Sequence, residues 1–490
     1  MSTFDPGRLV MVDIPGKSLD ADTAAFLRAQ KIRAVCLFRK NIGSEDEVRA
    51  LMRDLIAVLG PEALIGIDQE GGAVVRVTFL PQPPSAMALG ASGDADRAEA
   101  VGAAVARGLK SLGINWNFAP VLDVNNNPAN PVIGERSFSN DPAEVSRLAS
   151  AWMRGSLAAG VACCVKHFPG HGDTHVDSHH ALPTVDKTSA ELNALELAPF
   201  KALAGQAPAM MTAHIVYPQI DPDRPATLSP ALIGGILRRD WGYDGVVITD
   251  ALMMKAVAER FGYAKSAVMA IAAGADMVLA QGTPEEQLIA INALREAFAD
   301  GRLTLQQGEA ANARLDRLAA AYPARMVDDG AARAADHALM DTAWAAGLTA
   351  LRGARPPALN APIRVIVQGD VPTDMVSEAG PTGRQVVALF AAFNDAQILM
   401  VDDIAKLDWA SVPKDGRVNV LVSTRRARYG LAASQWRPDL HLALWNPYQA
   451  LDVAGPTVLT WGFAPGALAG LKAWLEGKAE ASGRAPQGLQ

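Results

Sequence analysis

A chain of 490 residues exceeds the size of one ordinary hydrophobic core, and its length predicts two or three domains. Half of the residues are hydrophobic and a fifth are charged, which is the balance of a soluble globular protein. The formal net charge is −7, and no basic run is present, so the composition argues against a nucleic-acid partner.

The cysteines and the N-terminus indicate the cellular compartment. Cys36, Cys163 and Cys164 lie inside apolar runs, so we expect no disulfide framework and a reducing compartment. The N-terminal residues MSTFDPGRLVMVDIPG lack the basic and apolar regions of a secretory signal. No apolar stretch reaches about 18 residues, the length that a spanning helix needs. These features predict a cytoplasmic protein that does not enter a membrane.

Short runs rich in Val, Ile, Leu and Ala alternate with segments of helical period over the first 300 residues. We predict eight buried strands at 9–14, 32–38, 63–69, 114–123, 161–168, 207–217, 245–252 and 275–282. The clearest helices, 45–60 and 141–160, begin near Asp or Ser and end at Gly, as helix caps require. Strands that alternate with helices predict a parallel sheet covered by helices.

Eight such units within about 300 residues predict an α/β fold of the (β/α)₈ TIM-barrel type. An open, doubly wound sheet is the alternative, and that fold would require a glycine-rich phosphate turn after the first strand. The sequence DIPGKSLDADT that follows the first strand contains no such turn, which favours the barrel.

The C-terminal third has a different sequence pattern. Ala-rich helical sequence over 302–355 is followed by five further apolar runs at 363–369, 397–403, 418–424, 440–446 and 457–462. We predict a barrel domain over 1–330, a helical linker over 331–360, a smaller α/β sandwich-like domain over 361–475 and a loose tail over 476–490. Because no catalytic motif falls in the smaller domain, it need not contribute to the active site, and we expect its role to be structural or in assembly.

Polar residues follow several predicted strands directly. In a barrel the working residues gather at the carboxyl ends of the strands, so these side chains are expected to converge on one rim. They are Asp68, Asp123, Lys166, His167, His214 and Asp250.

The window 166–180, KHFPGHGDTHVDSHH, contains five of the eight histidines. Four of them recur at intervals of four: His167, His171, His175 and His179. Proline and glycine at 169, 170 and 172 interrupt any helix, so the interval defines no metal-binding face. Asp177 and His179 instead predict an acid/base pair, since a carboxylate fixes the imidazole tautomer and raises its pKa. A metal site and a polar loop without function remain as alternatives.

The same window resembles the signature of family 3 glycoside hydrolases, specifically the bacterial cytoplasmic β-N-acetylglucosaminidase branch. Five other segments resemble that family in the same order: IDQEGGAVVR (67–76), NFAPVLDV (117–124), IGERSF (133–138), MTAHIVYP (211–218) and ITDALMM (248–254). The resemblance implies a barrel that hydrolyses terminal, non-reducing β-linked N-acetylglucosamine with retention of configuration. It implies a small carbohydrate substrate, a place in peptidoglycan recycling, and no metal or other cofactor.

The resemblance also implies roles for individual residues. Asp250 matches the catalytic nucleophile, which would form a glycosyl-aspartate intermediate. His179 matches the general acid/base, with Asp177 as its partner. The residues that match the positions gripping the sugar hydroxyls and the N-acetyl group are Asp68, Arg76, Arg136, Lys166 and His167.

Other functions stay open from the sequence. A β-N-acetylglucosaminide phosphorylase and a β-glucosidase would belong to the same family. A metal-dependent hydrolase on a TIM barrel would use the histidine window differently, and a sugar-binding protein descended from an enzyme would use no catalysis. For Asp250 itself, the alternative is a cap on a helix that starts near Ala251.

Overall fold

The computed structural model describes residues 4–177, 182–328, 330–371, 376–378 and 380–489. The N-terminal part of the chain forms a closed barrel of eight parallel strands, in which each strand pairs with its neighbours in chain order. The strands are β1 (Val10–Asp13), β2 (Ala34–Leu37), β3 (Leu64–Ile67), β4 (Trp116–Asn117), β5 (Ala162–Phe168), β6 (Ala209–Thr212), β7 (Val246–Ala251) and β8 (Met277–Ala280). The predicted (β/α)₈ barrel is confirmed, and the open sheet is excluded.

Helices surround the barrel, and the two that the sequence predicts most clearly begin and end at the expected capping residues. Ser44 caps the helix over 45–59, which ends at Gly60, and Asp141 caps the helix over 142–159, which ends at Gly160. The helices of this part of the chain are α1 (Ala21–Ala29), α2 (Glu45–Leu59), α3 (Ala86–Ser92), α4 (Ala95–Ser111), α5 (Pro142–Ala159), α6 (Ser189–Ala194), α7 (Leu197–Leu203), α8 (Lys255–Phe261), α9 (Tyr263–Ala273), α10 (Pro284–Ala299) and α11 (Leu305–Ala321). A π-helix over Ala231–Asp240 precedes β7.

All eight barrel strands are shorter than their predicted ranges, and two of them differ most from the sequence pattern. The run 114–123 forms only the two-residue β4, with an isolated bridge between Val121 and Lys166 further on. Pro120 interrupts it because proline lacks the N–H that a ladder needs. The run 207–217 pairs in the barrel only up to Thr212, and its last two residues join a small antiparallel pair with Asp221–Pro225.

A second, six-stranded mixed sheet follows the barrel in the order β9-β14-β13-β12-β10-β11. Its strands are β9 (Thr349–Leu351), β10 (Ile363–Gln368), β11 (Ala396–Val401), β12 (Val418–Ser423), β13 (Leu440–Ala443) and β14 (Thr457–Leu459). All pairs are parallel except β9 with β14. The α-helices described in this part are α12 (Gly330–Gly347), α13 (Gly383–Ala388) and α14 (Pro465–Leu475).

Both faces of the second sheet are buried. Val365 and Val367 of β10 belong to one apolar cluster, whereas Ile366 belongs to another, because successive side chains of a strand point to opposite faces. This confirms a smaller α/β domain of layered, sandwich-like architecture. The boundaries at 330, 360 and 475 stay predictions, although α12 fills half of the predicted linker and β9 was not expected there.

The C-terminal tail differs from its prediction as a loose segment. The backbone N–H of Gly483 donates to Leu348 O at 2.8 Å, and that of Arg484 donates to Ala91 O at 2.9 Å. Leu489 is buried, so the tail is held between α3 and the second sheet. Among the helices of the described ranges, none has the length and apolar character needed to cross a bilayer.

Candidate active site

A cavity of about 670 Å³ opens at the carboxyl ends of the barrel strands, a volume within the usual range for small-ligand sites. Six of the eight predicted site residues line it: Asp68, Arg76, Arg136, Lys166, His167 and Asp250. Of the other two, Asp177 is half-buried on the loop after β5, and His179 lies outside the described residues. Of the six strand-end side chains expected to converge on one rim, Asp68, Lys166, His167 and Asp250 line the cavity.

Lys166 lies at the centre of a buried cluster of charges. Its Nζ is 2.6 Å from Asp68 Oδ1 and 2.6 Å from Glu70 Oε1. Arg136 donates from Nε and Nη2 to the two oxygens of Glu70, at 2.8 Å each. Two carboxylates and two cations thus fix one another before any ligand arrives, with Arg136 and Glu70 in the bidentate geometry that favours guanidinium–carboxylate pairs.

Glu70 is a site residue that the sequence reasoning missed. It lies on a short hairpin in which Gln69–Gly71 pairs with Val74–Val75. Gly71 has φ 118°, and a Cβ there would stand 2.2 Å from Pro84 O, so this turn requires glycine. The signal was present in the EGG of the segment 67–76, because a tight glycine turn fixes the position of the preceding carboxylate.

Burial and charge act in opposite directions on the ionisable groups of this cluster. Burial alone would raise the pKa of Glu70, but the charges of Arg136 and Lys166 outweigh it and hold that pKa far below its ordinary value. Burial would likewise lower the pKa of Lys166, yet Asp68 and Glu70 raise it overall. Glu70 and Lys166 are therefore both charged at neutral pH.

Asp123 organises the base of the histidine window. Its Oδ2 accepts from His167 Nδ1 at 2.7 Å, and its Oδ1 accepts from the backbone N–H of His171 at 2.6 Å. Burial would raise the pKa of Asp123, but the adjacent His167 lowers it overall. Burial also lowers the pKa of His171 to about 4, so this imidazole is neutral at pH 7. Asp123 therefore orients His167 on the cavity wall.

Asp250 lies at the end of β7 and is half-buried on the cavity. Its Oδ1 accepts from the backbone N–H of Ala251 at 2.8 Å. The carbonyl of Ala251 accepts in turn from His214 Nε2 at 2.9 Å, so the predicted strand-end histidine supports the backbone beside Asp250. The following helix begins at Lys255 and has Met254 at its N-cap, which rules out the alternative that Asp250 caps it.

The loop after β5 is anchored at several points up to Asp177. Lys187 bonds Asp173 at 2.7 Å and also contacts Glu196, while Asn127 Nδ2 lies 3.1 Å from His175 Nδ1. The charge of Asp177 acts on His171. The predicted pairing of Asp177 with His179 falls partly outside the described residues.

The residues that the structure describes contain no group of three His, Cys, Asp or Glu side chains placed to hold a metal ion. A metal reading of the histidine window thus has no support from the part of the window up to residue 177.

The second domain reaches the cavity, which the sequence analysis did not expect. Val376 and Glu378 line it. Arg76, predicted to bind sugar, donates from Nη1 to Val376 O at 2.8 Å and lies with Nε 3.1 Å from Glu378 Oε2. Arg76 therefore holds a second-domain segment as well as facing the cavity.

Comparisons with known proteins agree with this architecture. The model of the glycosyl hydrolase family 3 N-terminal domain matches residues 6–318. A curated β-hexosaminidase of Chromobacterium violaceum is 41% identical over 286 residues, which cover 56% of this chain and 79% of that protein. A second curated β-hexosaminidase, of Neisseria meningitidis, is 37% identical over 302 residues, covering 60% and 82%.

Among solved structures, the chain is similar along its whole length to a family 3 β-N-acetylglucosaminidase of a Paenibacillus species. The TM-score is 0.87 at 32% sequence identity, with 100% of this chain and 99% of that chain covered. The similarity thus extends over both the barrel and the second sheet.

Proposed function

Because this chain belongs to glycosyl hydrolase family 3, we propose that it is a retaining exo-β-N-acetylglucosaminidase, which removes terminal β-linked N-acetylglucosamine. The observation that carries the proposal is the likeness over the full length to the Paenibacillus β-N-acetylglucosaminidase. The cavity supports the proposal, because Asp250 and the charged cluster around Lys166 line the same cavity.

The reaction proceeds in two displacements. The ionised Asp250 attacks the anomeric carbon, while His179 gives a proton to the glycosidic oxygen and the aglycone leaves as an alcohol. His179, now neutral, takes a proton from water, and the hydroxyl attacks the anomeric carbon and frees Asp250. Two inversions leave the configuration unchanged. Asp177 keeps the imidazole in the productive tautomer.

The charged cluster holds the sugar. Asp68 presents acceptors, and Arg136, Lys166 and His167 present donors or a ring nitrogen along the cavity wall. Their mutual bonds fix these groups in advance, so little reorganisation accompanies binding. A carbohydrate with hydroxyl and amide groups fits such a mixture of charges, and an apolar ligand does not.

We infer further that the natural substrate is a small cell-wall fragment, an N-acetylglucosaminyl saccharide or muropeptide recycled in the cytoplasm. This rests on the cytoplasmic character expected from the sequence and on the resemblance to the branch named above. Hydrolysis of a glucoside as fast as of the N-acetylated analogue would favour a β-glucosidase. Release of sugar 1-phosphate in phosphate buffer would favour a phosphorylase.

Trapping the intermediate tests the proposal. A 5-fluoro N-acetylglucosaminyl fluoride forms a long-lived ester with a retaining nucleophile, and peptide mass spectrometry then locates the label. We expect the label on the peptide that contains Asp250 and none in Asp250→Asn. A label on Asp68, or turnover without any covalent adduct, would contradict the assignment.

A further inference from the structure

The segment 376–378 of the second domain lies against Arg76 at the cavity. Arg76 is buried, and its Nη1 donates to Val376 O at 2.8 Å and lies 3.4 Å from Ser377 O. Its Nε is 3.1 Å from Glu378 Oε2. Three consecutive residues of the second domain therefore contact one guanidinium of the barrel.

Glu378 is held in an unusual conformation by these contacts. Its φ is 52°, in the left-handed region that a residue with a Cβ adopts at a cost in backbone strain. The backbone N–H of Arg39 also donates to Glu378 Oε2, at 3.3 Å. Such strain persists only where the surroundings impose it, and it is found most often at functional sites.

The contacts of Glu378 leave one oxygen available. Both Arg76 and Arg39 approach Oε2, whereas Oε1 has no hydrogen-bond partner within the described part of the chain. The side chain is 28% exposed and lines the cavity. A carboxylate oxygen accepts up to two hydrogen bonds, so Oε1 can accept a hydrogen bond from a ligand in this cavity.

Glu378 also ends a row of alternating charges. Arg76 Nη2 is 3.4 Å from Asp68 Oδ2, and Asp68 Oδ1 is 2.6 Å from Lys166. The order along the wall is therefore Glu378, Arg76, Asp68 and Lys166. The barrel supplies three of these groups, and the second domain supplies the fourth.

We propose that Glu378 is a specificity-determining residue, which accepts a hydrogen bond from one hydroxyl of the bound sugar through Oε1. Arg76 then acts as the positioning residue that holds the segment 376–378 on the cavity. The inference rests on the proposed function for the identity of the sugar. A site that bonds a substrate hydroxyl rejects an analogue without it far more strongly than a merely shaped pocket does.

Deoxy substrates combined with variants test this role. Glu378→Ala and Glu378→Gln are assayed on a nitrophenyl N-acetylglucosaminide and on its 3-deoxy, 4-deoxy and 6-deoxy analogues. We expect Glu378→Ala to lower kcat/KM on the parent by roughly 10–100-fold. On one of the three analogues, Glu378→Ala should lower kcat/KM by no more than about 2-fold, because that analogue already lacks the hydroxyl that Glu378 bonds. Glu378→Gln keeps an acceptor oxygen and should lose less.

The controls separate this role from a structural one. Glu480→Gln replaces an exposed acid on the C-terminal tail that follows the second domain and should keep wild-type kinetics on every substrate. Equal losses of kcat/KM on all three analogues would show that Glu378 has a structural role. A loss confined to substrates with poor leaving groups would show that it acts as an acid/base. Either result, or no loss of kcat/KM, overturns the proposal.

Failure of the proposed function has a different signature. If the proposed function is wrong, the wild-type protein cleaves none of these glycosides. In that case calorimetric binding of N-acetylglucosamine and its deoxy forms to wild type and to Glu378→Gln still decides the question. Identical affinities for both proteins across the whole series would overturn the role of Glu378.

Discussion

Glu70 and Arg136 face each other through two hydrogen bonds of 2.8 Å, and both side chains are almost completely buried. Glu70 also accepts from Lys166 at 2.6 Å. One carboxylate thus pairs with two buried cations. Lys166 also pairs with Asp68, whereas Arg136 pairs with no other carboxylate among the described residues. This arrangement makes the wall of the cavity rigid and makes the position of Arg136 depend on a single acid.

Replacing Glu70 by Gln should therefore be costly. The change keeps the shape but removes the charge that balances Lys166 and Arg136, and breaking a buried pair costs about 3–5 kcal/mol. We expect the free energy of unfolding in urea to fall by that amount and kcat/KM to fall with it. The control is Glu99→Gln, which breaks an exposed pair with Arg154 and should cost less than about 1 kcal/mol. Similar costs for both variants would contradict the analysis.

Asp250→Ala tests the nucleophile by kinetics. Loss of the attacking group should lower kcat/KM by at least about 1,000-fold without unfolding the protein. Added azide should enter the space of the lost carboxylate and give the sugar azide of opposite anomeric configuration. Asp223→Asn, an exposed change in the same domain, should leave turnover intact. Residual activity within about 10-fold of wild type would remove Asp250 from the mechanism.

The sequence predicts the barrel well because its signals are local. Each strand is a short apolar run, and each major helix carries its own cap, as Ser44 and Asp141 show. The same locality explains the failures. Strand β9 has only three residues and no readable period, and Pro120 shortens β4 for a reason that apolar content does not reveal.

The strand pattern alone predicts the site only where its residues lie at strand ends. Asp68 follows β3, and Lys166 and Asp250 lie in the last residues of β5 and β7, so topology brings them to one rim. Glu70 depends on a glycine hairpin, and Glu378 depends on contact between residues about 300 positions apart. No periodicity or spacing encodes a contact of that kind, which requires both domains to be folded and packed.

Asp123→Asn should disturb His167 without touching the substrate. In the native protein His167 Nδ1 lies 2.7 Å from Asp123 Oδ2. The amide of the variant accepts less strongly than the carboxylate and can present its own N–H to the imidazole, so the ring of His167 loses its fixed orientation. We expect kcat/KM to fall by about 10–100-fold, as displaced binding groups commonly cause. A cycle with His167→Gln checks the coupling, and the double variant should be little worse than either single one. Strictly additive losses would mean that Asp123 acts elsewhere.

The acid/base assignment predicts a dependence on the leaving group. His179→Ala should slow hydrolysis of an alkyl glycoside by roughly 10²–10⁴-fold, because the departing alkoxide then lacks a proton donor. A dinitrophenyl glycoside should suffer far less, and Asp177→Asn should give the same pattern more weakly. His175→Ala removes a neighbouring, exposed histidine of the same loop and should affect both substrates equally little. Equal damage to good and poor leaving groups would exclude His179 as the acid.

The stability of the second domain should fall in acid because of His441. This buried imidazole bonds Ser423 Oγ at 2.7 Å through Nε2, and burial lowers its pKa from 6.5 to about 3. The folded state therefore keeps His441 neutral, while the unfolded chain takes up a proton as the pH falls below 6.5. Stability from this group is complete above pH 6.5 and is lost progressively down to about pH 3.

Between pH 7 and pH 5 this uptake should lower the free energy of unfolding by about 2 kcal/mol. Urea titrations of the full chain at both pH values measure it. His441→Gln will be less stable at pH 7, since it perturbs a buried bond, yet its stability should fall less from pH 7 to pH 5 than that of wild type. Replacing His337, which is exposed on α12, should keep the wild-type dependence. If the free energy of unfolding of His441→Gln fell as much from pH 7 to pH 5 as that of wild type, the unfolded state would gain its protons at other residues.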